Sequence, residues 1–291
     1  MLEYRENDLE RVQQVAADVL REFIRICDKY GLDYFVHWGT ALGAVRHQGF
    51  IPWDDDVDVG MLREDYDRFL KVAPGEIGDR YVLSSAFLQE NCFGLYTMMS
   101  AAGTLHVTQQ ESLWGYQHGI RMDIFPFDAV PEDRKKRRRQ ILGVRFWNML
   151  YTVKNLSKPH LPGDTMGMRI VRGLCRAGHI FLKPIPARVF LSRAGRWALK
   201  YRGRKGLYTL LYDQQAEKWK LTWEDIYPLQ EGTFEGMQVK LLHHNHEALR
   251  AAYGDYMQLP PQEQRVNHYS GRLKFNEDNH EKSVSSAEAE Q

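Results

Sequence analysis

Cysteine is scarce. Cys27, Cys92 and Cys175 are the only three in 291 residues, too few and too scattered for a disulfide framework or a zinc knuckle. Long apolar runs are missing as well. The most apolar tract, Ile170 to Leu199, is interrupted by Arg172, Arg176, Lys183, Arg188, Arg193 and Arg196. It falls short of the ~18 uncharged residues a spanning helix requires. The opening residues, Met1 to Asp8, carry no apolar core of the kind a signal peptide needs. Together these absences lead to the expectation of a reducing, cytoplasmic setting, with peripheral contact at the inner face of the membrane still open.

Acidic residues are nearly absent from one long stretch. Between Glu132 and Gly206, 20 Lys and Arg stand against three acids (Glu132, Asp133 and Asp164), a net of +17. The overall charge of +1 therefore conceals a remainder near −16. The balanced total gives no reason to expect nucleic acid as a partner, while the segregation implies separate electrostatic roles for two regions. Apolar residues at 43% and charged residues at 26% are ordinary for a globular chain.

The periodicities suggest an α+β protein. Leu9, Val12, Ala16, Val19, Phe23 and Cys27 recur at three and four, which predicts a long amphipathic helix stopped by Gly31. Tyr34 to Trp38 reads as a short strand, Thr40 to Arg46 as a turn leading into a helical turn, Phe50 to Met61 as a second strand region, and Arg63 to Val72 as a helix. Further strands are expected at Tyr81–Ser84, Gly94–Met99, Thr104–Thr108 and Ile120–Phe125. From Pro131 the basic region reads as helices cut by Pro159, Pro162, Pro184 and Pro186. A further helix is expected near Asn245 to Tyr253, and the polar stretch 276–291 reads as a disordered tail. The expected organisation is a core over 1–130, a basic, mainly helical region over 131–227, a segment over 228–275 that completes the core, and the tail.

The densest chemistry is Trp53-Asp54-Asp55-Asp56-Val57-Asp58-Val59. In a strand, alternate residues share a face and rise ~3.3 Å each, so Asp56 and Asp58 would point one way and the valines into the core. Two carboxylates at that span suit a hard cation such as Mg²⁺ or Mn²⁺, with phosphate oxygens and water completing the shell. Asp54 and Asp55 are equally well explained as turn or capping residues. Asp123 sits in another alternating segment, Arg121-Met122-Asp123-Ile124-Phe125. If that strand lies beside the first, three carboxylates converge and require a cation between them. Gly39-Thr40 follows a strand and would offer a turn able to cradle phosphate, with Arg46 and His47 as further phosphate contacts. Trp114, Tyr116 and His118 could form an aromatic box for a quaternary ammonium, although aromatics in that position more often belong to the core.

The unbroken run from His37 to Gly60, HWGTALGAVRHQGFIPWDDDVDVG, strongly resembles the LicD family of phosphotransferases. So do Met122 to Asp128 and, downstream, Phe234-Glu235-Gly236, Tyr253 to Pro261, Arg265 and His268. The resemblance covers roughly 1–128 and 230–270, and leaves the basic region unmatched. It implies a nucleotidyltransferase-like mixed β-sheet with flanking helices, to which the basic helices would be an insert. The family's Gly-Ser/Thr turn, Asp-x-Asp pair and third Asp fall on Gly39 and Thr40, Asp56 and Asp58, and Asp123. By the same resemblance, Arg265 and His268 would lie near phosphate or base.

The implied reaction is Mg²⁺-dependent transfer of a phospho-alcohol from a CDP-activated donor to a glycan hydroxyl on teichoic acid, lipopolysaccharide or a capsule precursor. CDP-choline is the expected donor. Asp56 and Asp58 would bind metal, and Asp123 would complete the metal site or take the acceptor's proton. Transfer of a nucleoside monophosphate to a small hydroxyl acceptor is the main alternative, and a glycosyltransferase using Asp-x-Asp is a weaker one. The run Lys135-Lys136-Arg137-Arg138-Arg139 would face anionic lipid or a lipid-linked anionic acceptor.

Overall fold

The computed structural model describes residues 4–5, 7–86, 95–108, 111, 117–156 and 165–276. Cys92, Trp114, Tyr116 and the tail from 277 onward lie outside them. The chain forms a mixed sheet flanked by helices, an α+β arrangement as the periodicities suggest.

Helix α1 (Asp8–Tyr30) buries Val12, Ala16, Val19, Phe23 and Cys27, the stripe expected from their spacing, together with Leu20 and Ile26. It ends where Gly31 turns left-handed at φ 57°, and the next N–H, that of Leu32, closes back on the Cys27 carbonyl. Strand β1 is only Phe35–Val36, because Trp38 already opens helix α2 (Trp38–Arg46). Strand β2 is Asp58–Leu62, shorter than the expected Phe50–Met61. The residues before it form a loop held by side chains rather than by a ladder, so Asp56 precedes the strand and Asp58 is its first residue. Val57 and Val59 are nonetheless fully buried, as the alternation required. Helix α3 (Arg63–Val72) follows.

Strands β3 (Tyr81–Ser85), β4 (Thr97–Ala101), β5 (Leu105–Thr108) and β6 (Arg121–Val130) come next, the last running five residues past its expected end at Phe125. The main sheet has the order β1-β2-β6-β4-β3. β2 and β6 are parallel with Asp58 opposite Asp123, and the other neighbours on this path are antiparallel. One face of the sheet packs Val59, Met61, Met122 and Ile124 against α1 residues such as Phe23. The other carries Phe35, Phe125 and Phe127.

The basic region supplies α4 (Arg134–Asn155), α5 (Met166–Leu182) and α6 (Ala187–Ala198). Pro184 and Pro186 separate the last two, as a missing N–H donor dictates. The chain then returns to the sheet. β7 (Leu207–Thr209) pairs with the far end of β6 and with β8 (Leu221–Thr222), and the short α7 (Trp223–Ile226) follows. A hairpin of β9 (Gln230–Phe234) and β10 (Met237–Leu241), then α8 (Asn245–Tyr253), packs back on the first half of the chain. Finally β11 (Tyr269–Lys274) pairs with β5.

A buried ion pair ties α3 to β6: Arg63 Nε and Nη2 donate to the two carboxylate oxygens of Asp128 at 2.8 and 2.9 Å. The pair borders a cavity of about 260 Å³ that is closed on its other side by Val144 of α4 and Ala194 of α6. The basic run also needs correcting. Arg137 is buried and donates to Glu217 and to the carbonyls of Pro131 and Glu132, so it anchors α4 instead of joining the exposed cationic face.

Candidate active site

The parallel register of β2 and β6 creates the site. Asp58 and Asp123 lie side by side on adjacent strands, and their Cβ atoms project from the sheet face opposite α1. The loop before β2 brings Asp54 and Asp56 to the same place. Asp58 is buried, and its carboxyl is pushed well above the usual range by burial and then by the nearby Asp56, Asp123 and Asp54. Burial and the charges of Asp56 and Asp55 likewise push Asp54 well up. Asp123 is raised to about 6 by burial, and the Arg121 guanidinium opposes the rise. Arg121 Nε donates to Asp123 at 3.0 Å and Nη2 reaches Glu111 at 2.9 Å. Its buried Nη1 has no partner among the described residues. Four carboxylates thus share a partly buried pocket with less positive charge than negative.

Asp55 behaves differently. Its side chain is completely buried, accepts from Tyr4 Oη at 2.6 Å and faces the His268 Nδ1 at 2.9 Å. The His268 backbone N–H donates to the same carboxylate. The Asp55 carboxyl is held below its ordinary value by these contacts despite burial, while His268 is raised to about 9, chiefly by its bond to Asp55. Asp55 therefore clamps the N-terminal segment and the approach to β11 onto the aspartate loop. Gln13 of α1 adds a bond to the Asp54 carbonyl at 2.8 Å.

Donor atoms of Asp54, Asp55 and His268 lie within 4.8 Å of one another, a spacing compatible with a metal ion. Asp56, Asp58 and Asp123 do not form a group that tight among the described residues. Charge separates the two sets. Asp55 already pairs with His268 through its Nδ1. His268 Nδ1 also lies 3.5 Å from Asp56, and Arg121 pairs with Asp123, so two cations face the four carboxylates Asp54, Asp56, Asp58 and Asp123, an excess of negative charge that suits a hard divalent cation.

The expected phosphate residues surround this cluster without all being free. Gly39 is required because a Cβ there would sit 2.6 Å from an Asp54 carboxylate oxygen. Thr40 is buried, and its Oγ1 accepts the Asp58 N–H at 2.8 Å, which fastens α2 to the start of β2. Arg46 Nε donates to His47 Nε2 at 2.9 Å and Nη1 to the Tyr256 carbonyl at 2.7 Å. Burial and the neighbouring Arg265 both lower its pKa, so two guanidiniums approach each other here. Arg265 stacks over Trp53 at 4.9 Å and donates to the Pro260 carbonyl. Tyr253 completes the rim, with its phenol raised by burial and by Asp58, Asp54 and Asp56.

Beyond Asp123 on the same face of β6 lies an aromatic wall that the sequence reading did not single out. Phe125 meets Trp38 at 5.0 Å and Tyr96 at 4.9 Å between ring centroids. Tyr212 stacks on Tyr96 at 5.9 Å, and Trp219 meets Trp38 at 6.4 Å. Trp38, Tyr96, Tyr212 and Trp219 are all half-buried. Trp38 is held at φ 43°, a strained conformation for a bulky residue. His118, a candidate either for an aromatic box with Trp114 and Tyr116 or for the core, is partly buried near Arg121, and burial and that guanidinium depress its pKa.

Comparison with known proteins agrees with this geometry. Residues 31–147 match the family model described as LicD/FKTN/FKRP, nucleotidyltransferase domain. The chain is 30% identical over 283 residues to the lipopolysaccharide cholinephosphotransferase LicD of Haemophilus influenzae, covering 90% of this chain and 96% of that one. The human ribitol 5-phosphate transferase FKRP is 34% identical over 61 residues, 21% of this chain and 12% of that protein. An uncharacterized Rickettsia typhi protein, RT0683, is 41% identical over 56 residues, 19% of this chain and 18% of its own. Identity of this extent, on a chain that assembles its acidic motifs on two adjacent strands, shows that the chain belongs to the LicD family and is a phosphotransferase.

Proposed function

We propose that the protein moves phosphocholine from CDP-choline to a hydroxyl of a lipopolysaccharide or related cell-surface glycan, on a nucleotidyltransferase-like core that uses Mg²⁺ or Mn²⁺. The observation that carries this reading is the four-carboxylate cluster, whose buried negative charge is not matched by nearby cations. Asp54, Asp56 and Asp58 would hold the metal. Bound there, the ion would neutralise charge on the donor diphosphate and the leaving CMP.

The chain's own groups supply the rest. Arg46 and Arg265 face each other at the rim, an arrangement that favours a bound anion between them. Asp123, with one oxygen engaged by Arg121, accepts the proton of the attacking hydroxyl. The acceptor oxygen forms a bond to the phosphorus carrying choline. The anhydride P–O bond breaks, and CMP leaves with the bridging oxygen. The aromatic wall beyond Asp123 would hold the choline headgroup, since ring faces attract a quaternary ammonium. Phe125 lies two residues along β6 from Asp123, ~6.6 Å at strand rise, and shares its face.

The test is CMP release from a panel of CDP-alcohols with Mg²⁺. CDP-choline is expected to be the preferred donor. Asp56→Ala and Asp58→Ala are each expected to lower the rate at least a hundredfold while leaving circular dichroism unchanged. Release of pyrophosphate from a nucleoside triphosphate would identify nucleotidyl transfer instead, and full activity in either variant would remove the proposed metal site.

The catalytic site would work at the cytoplasmic face, with the cationic surface of α4 drawn to an anionic lipid-linked acceptor.

A further inference from the structure

Helix α5 has no buried residue. Its apolar side chains nevertheless form a regular stripe: Met166, Ile170, Leu174, Ala177 and Phe181 recur at spacings of four, four, three and four, and so share one face. Met166 is 72% exposed, Ile170 58%, Leu174 67% and Phe181 77%. Along one flank runs a cationic row, Arg169, Arg172, Arg176 and Lys183, and the helix itself contains no acid. The side of the helix away from the apolar stripe meets α4, where His179 Nδ1 lies 3.3 Å from the Val153 carbonyl. The apolar stripe is therefore not the surface that packs on the protein. α4 carries a second exposed stripe, Leu142, Phe146 and Met149, each at least 50% exposed.

An uncovered apolar stripe of this size normally has an occupant. The charge pattern identifies the occupant. Cations bordering an apolar face match the two layers of an anionic bilayer: phosphate headgroups outside and acyl chains beneath. Thr165 caps the helix by accepting the Met168 N–H at 3.3 Å. No helix among the described residues is long and apolar enough to cross a membrane, so the helix lies along the interface and does not span it.

We infer that α5 is an interfacial anchor that lies in the plane of an anionic phospholipid bilayer, with Leu174 and Phe181 in the acyl layer and Arg176 and Lys183 on headgroup phosphates. The mode differs from attraction by the α4 basic run alone, because the apolar contribution survives salt that screens charge.

The experiment is cosedimentation of the full chain with phosphatidylglycerol–phosphatidylcholine vesicles and with pure phosphatidylcholine vesicles, at low salt and at half-molar salt. The wild type should bind the anionic vesicles at low salt and keep a measurable fraction of that binding at high salt. Leu174→Ser with Phe181→Ser should weaken binding at least tenfold at both salts. Arg176→Glu with Lys183→Glu should weaken it mainly at low salt. CMP release from CDP-choline in the presence of a water-soluble acceptor should be unchanged in both variants, which reports a folded site. Wild-type levels of binding in the Leu174/Phe181 variant would overturn the inference. So would binding abolished entirely by salt, since the basic face alone would then be responsible. A concentration-dependent dimer that the same two substitutions dissociate would assign the stripe to a second copy and equally overturn it.

Discussion

Consecutive aspartates in this chain have opposite jobs, and their surroundings explain the division. Asp55 has no exposure and is compensated by His268 and Tyr4, whereas Asp58, three residues on, faces other carboxylates. Replacing Asp58 by Asn should therefore stabilise the metal-free protein. A carboxyl raised in the folded state contributes least stability above its folded pKa and most below the unfolded value near 4. The melting temperature of Asp58→Asn should exceed the wild type's by a few degrees at pH 8, and the gap should close as pH falls toward 4. Mg²⁺ should raise the wild-type melting temperature and leave the variant's nearly unchanged. A lower melting temperature at pH 8 would contradict the excess of negative charge.

His268 gives the opposite sign. Its folded pKa is raised to about 9 by Asp55, so the stabilisation is complete below about 6.5 and is lost as pH climbs through 9. His268→Gln should lower the melting temperature at pH 7, and that difference should shrink steadily between about pH 7 and pH 9 and level off above it. A constant difference across the range would mean that packing, not charge, accounts for the effect.

At the scale of the elements, two motif stretches far apart in the chain prove to be one contact. Glu235, in the β9–β10 turn, accepts the Phe50 N–H at 3.0 Å, and its own N–H donates to Gln48 at 2.9 Å. A Cβ on Gly49 would fall 2.1 Å from that carboxylate, and a Cβ on Gly43 would fall 2.4 Å from the Gly49 carbonyl. The glycines of the first motif thus let α2, its following turn and the hairpin close on one another. Gly60 plays the same part in the sheet, where a Cβ would meet the Phe35 ring at 2.4 Å and the Phe127 ring at 2.7 Å. Gly60→Ala should destabilise the fold by about 1–3 kcal/mol, through overpacking of rings that have no room to move. Denaturant midpoints measure it, and an unchanged midpoint would show that the β2–β6 face is looser than these distances require.

Strand limits were the least legible elements in the chain. Phe50 to Val57 falls in the expected second strand region but is a loop, because Gln13, Tyr4 and His268 supply its hydrogen bonds from distant segments. Local pattern cannot reveal a partner that arrives from more than 200 residues away. Helices α1, α3 and α8 were legible because their apolar spacing and stops are properties of neighbouring residues.

Across the whole molecule, the charge division in the sequence corresponds to a division of packing. The acidic part forms the sheet and its main core, while the basic part forms α4, α5 and α6 around a smaller cluster that includes Val144, Tyr151, Phe190 and Ala194. Stability should be uneven in consequence. Amide hydrogens in α5, which buries nothing, should exchange orders of magnitude faster than those in the middle of α1, and should slow on addition of anionic vesicles. Equal protection in the two helices without lipid would show that α5 is covered in solution.

The order of residues along the chain was enough to settle what chemistry is present: a dense aspartate run, a third aspartate in an alternating segment, glycines at close turns, and a basic tract without acids. Each is a matter of composition and short spacing. Which of those aspartates share a pocket was decided by the parallel pairing of β2 with β6, and which one is neutralised was decided by His268 returning from the far end of the chain. The aromatic wall beside Asp123 and the bare stripe of α5 likewise exist only once the chain is folded. Burial, and with it the cost of an unpaired charge or an uncovered apolar face, is set by contacts between segments remote in sequence.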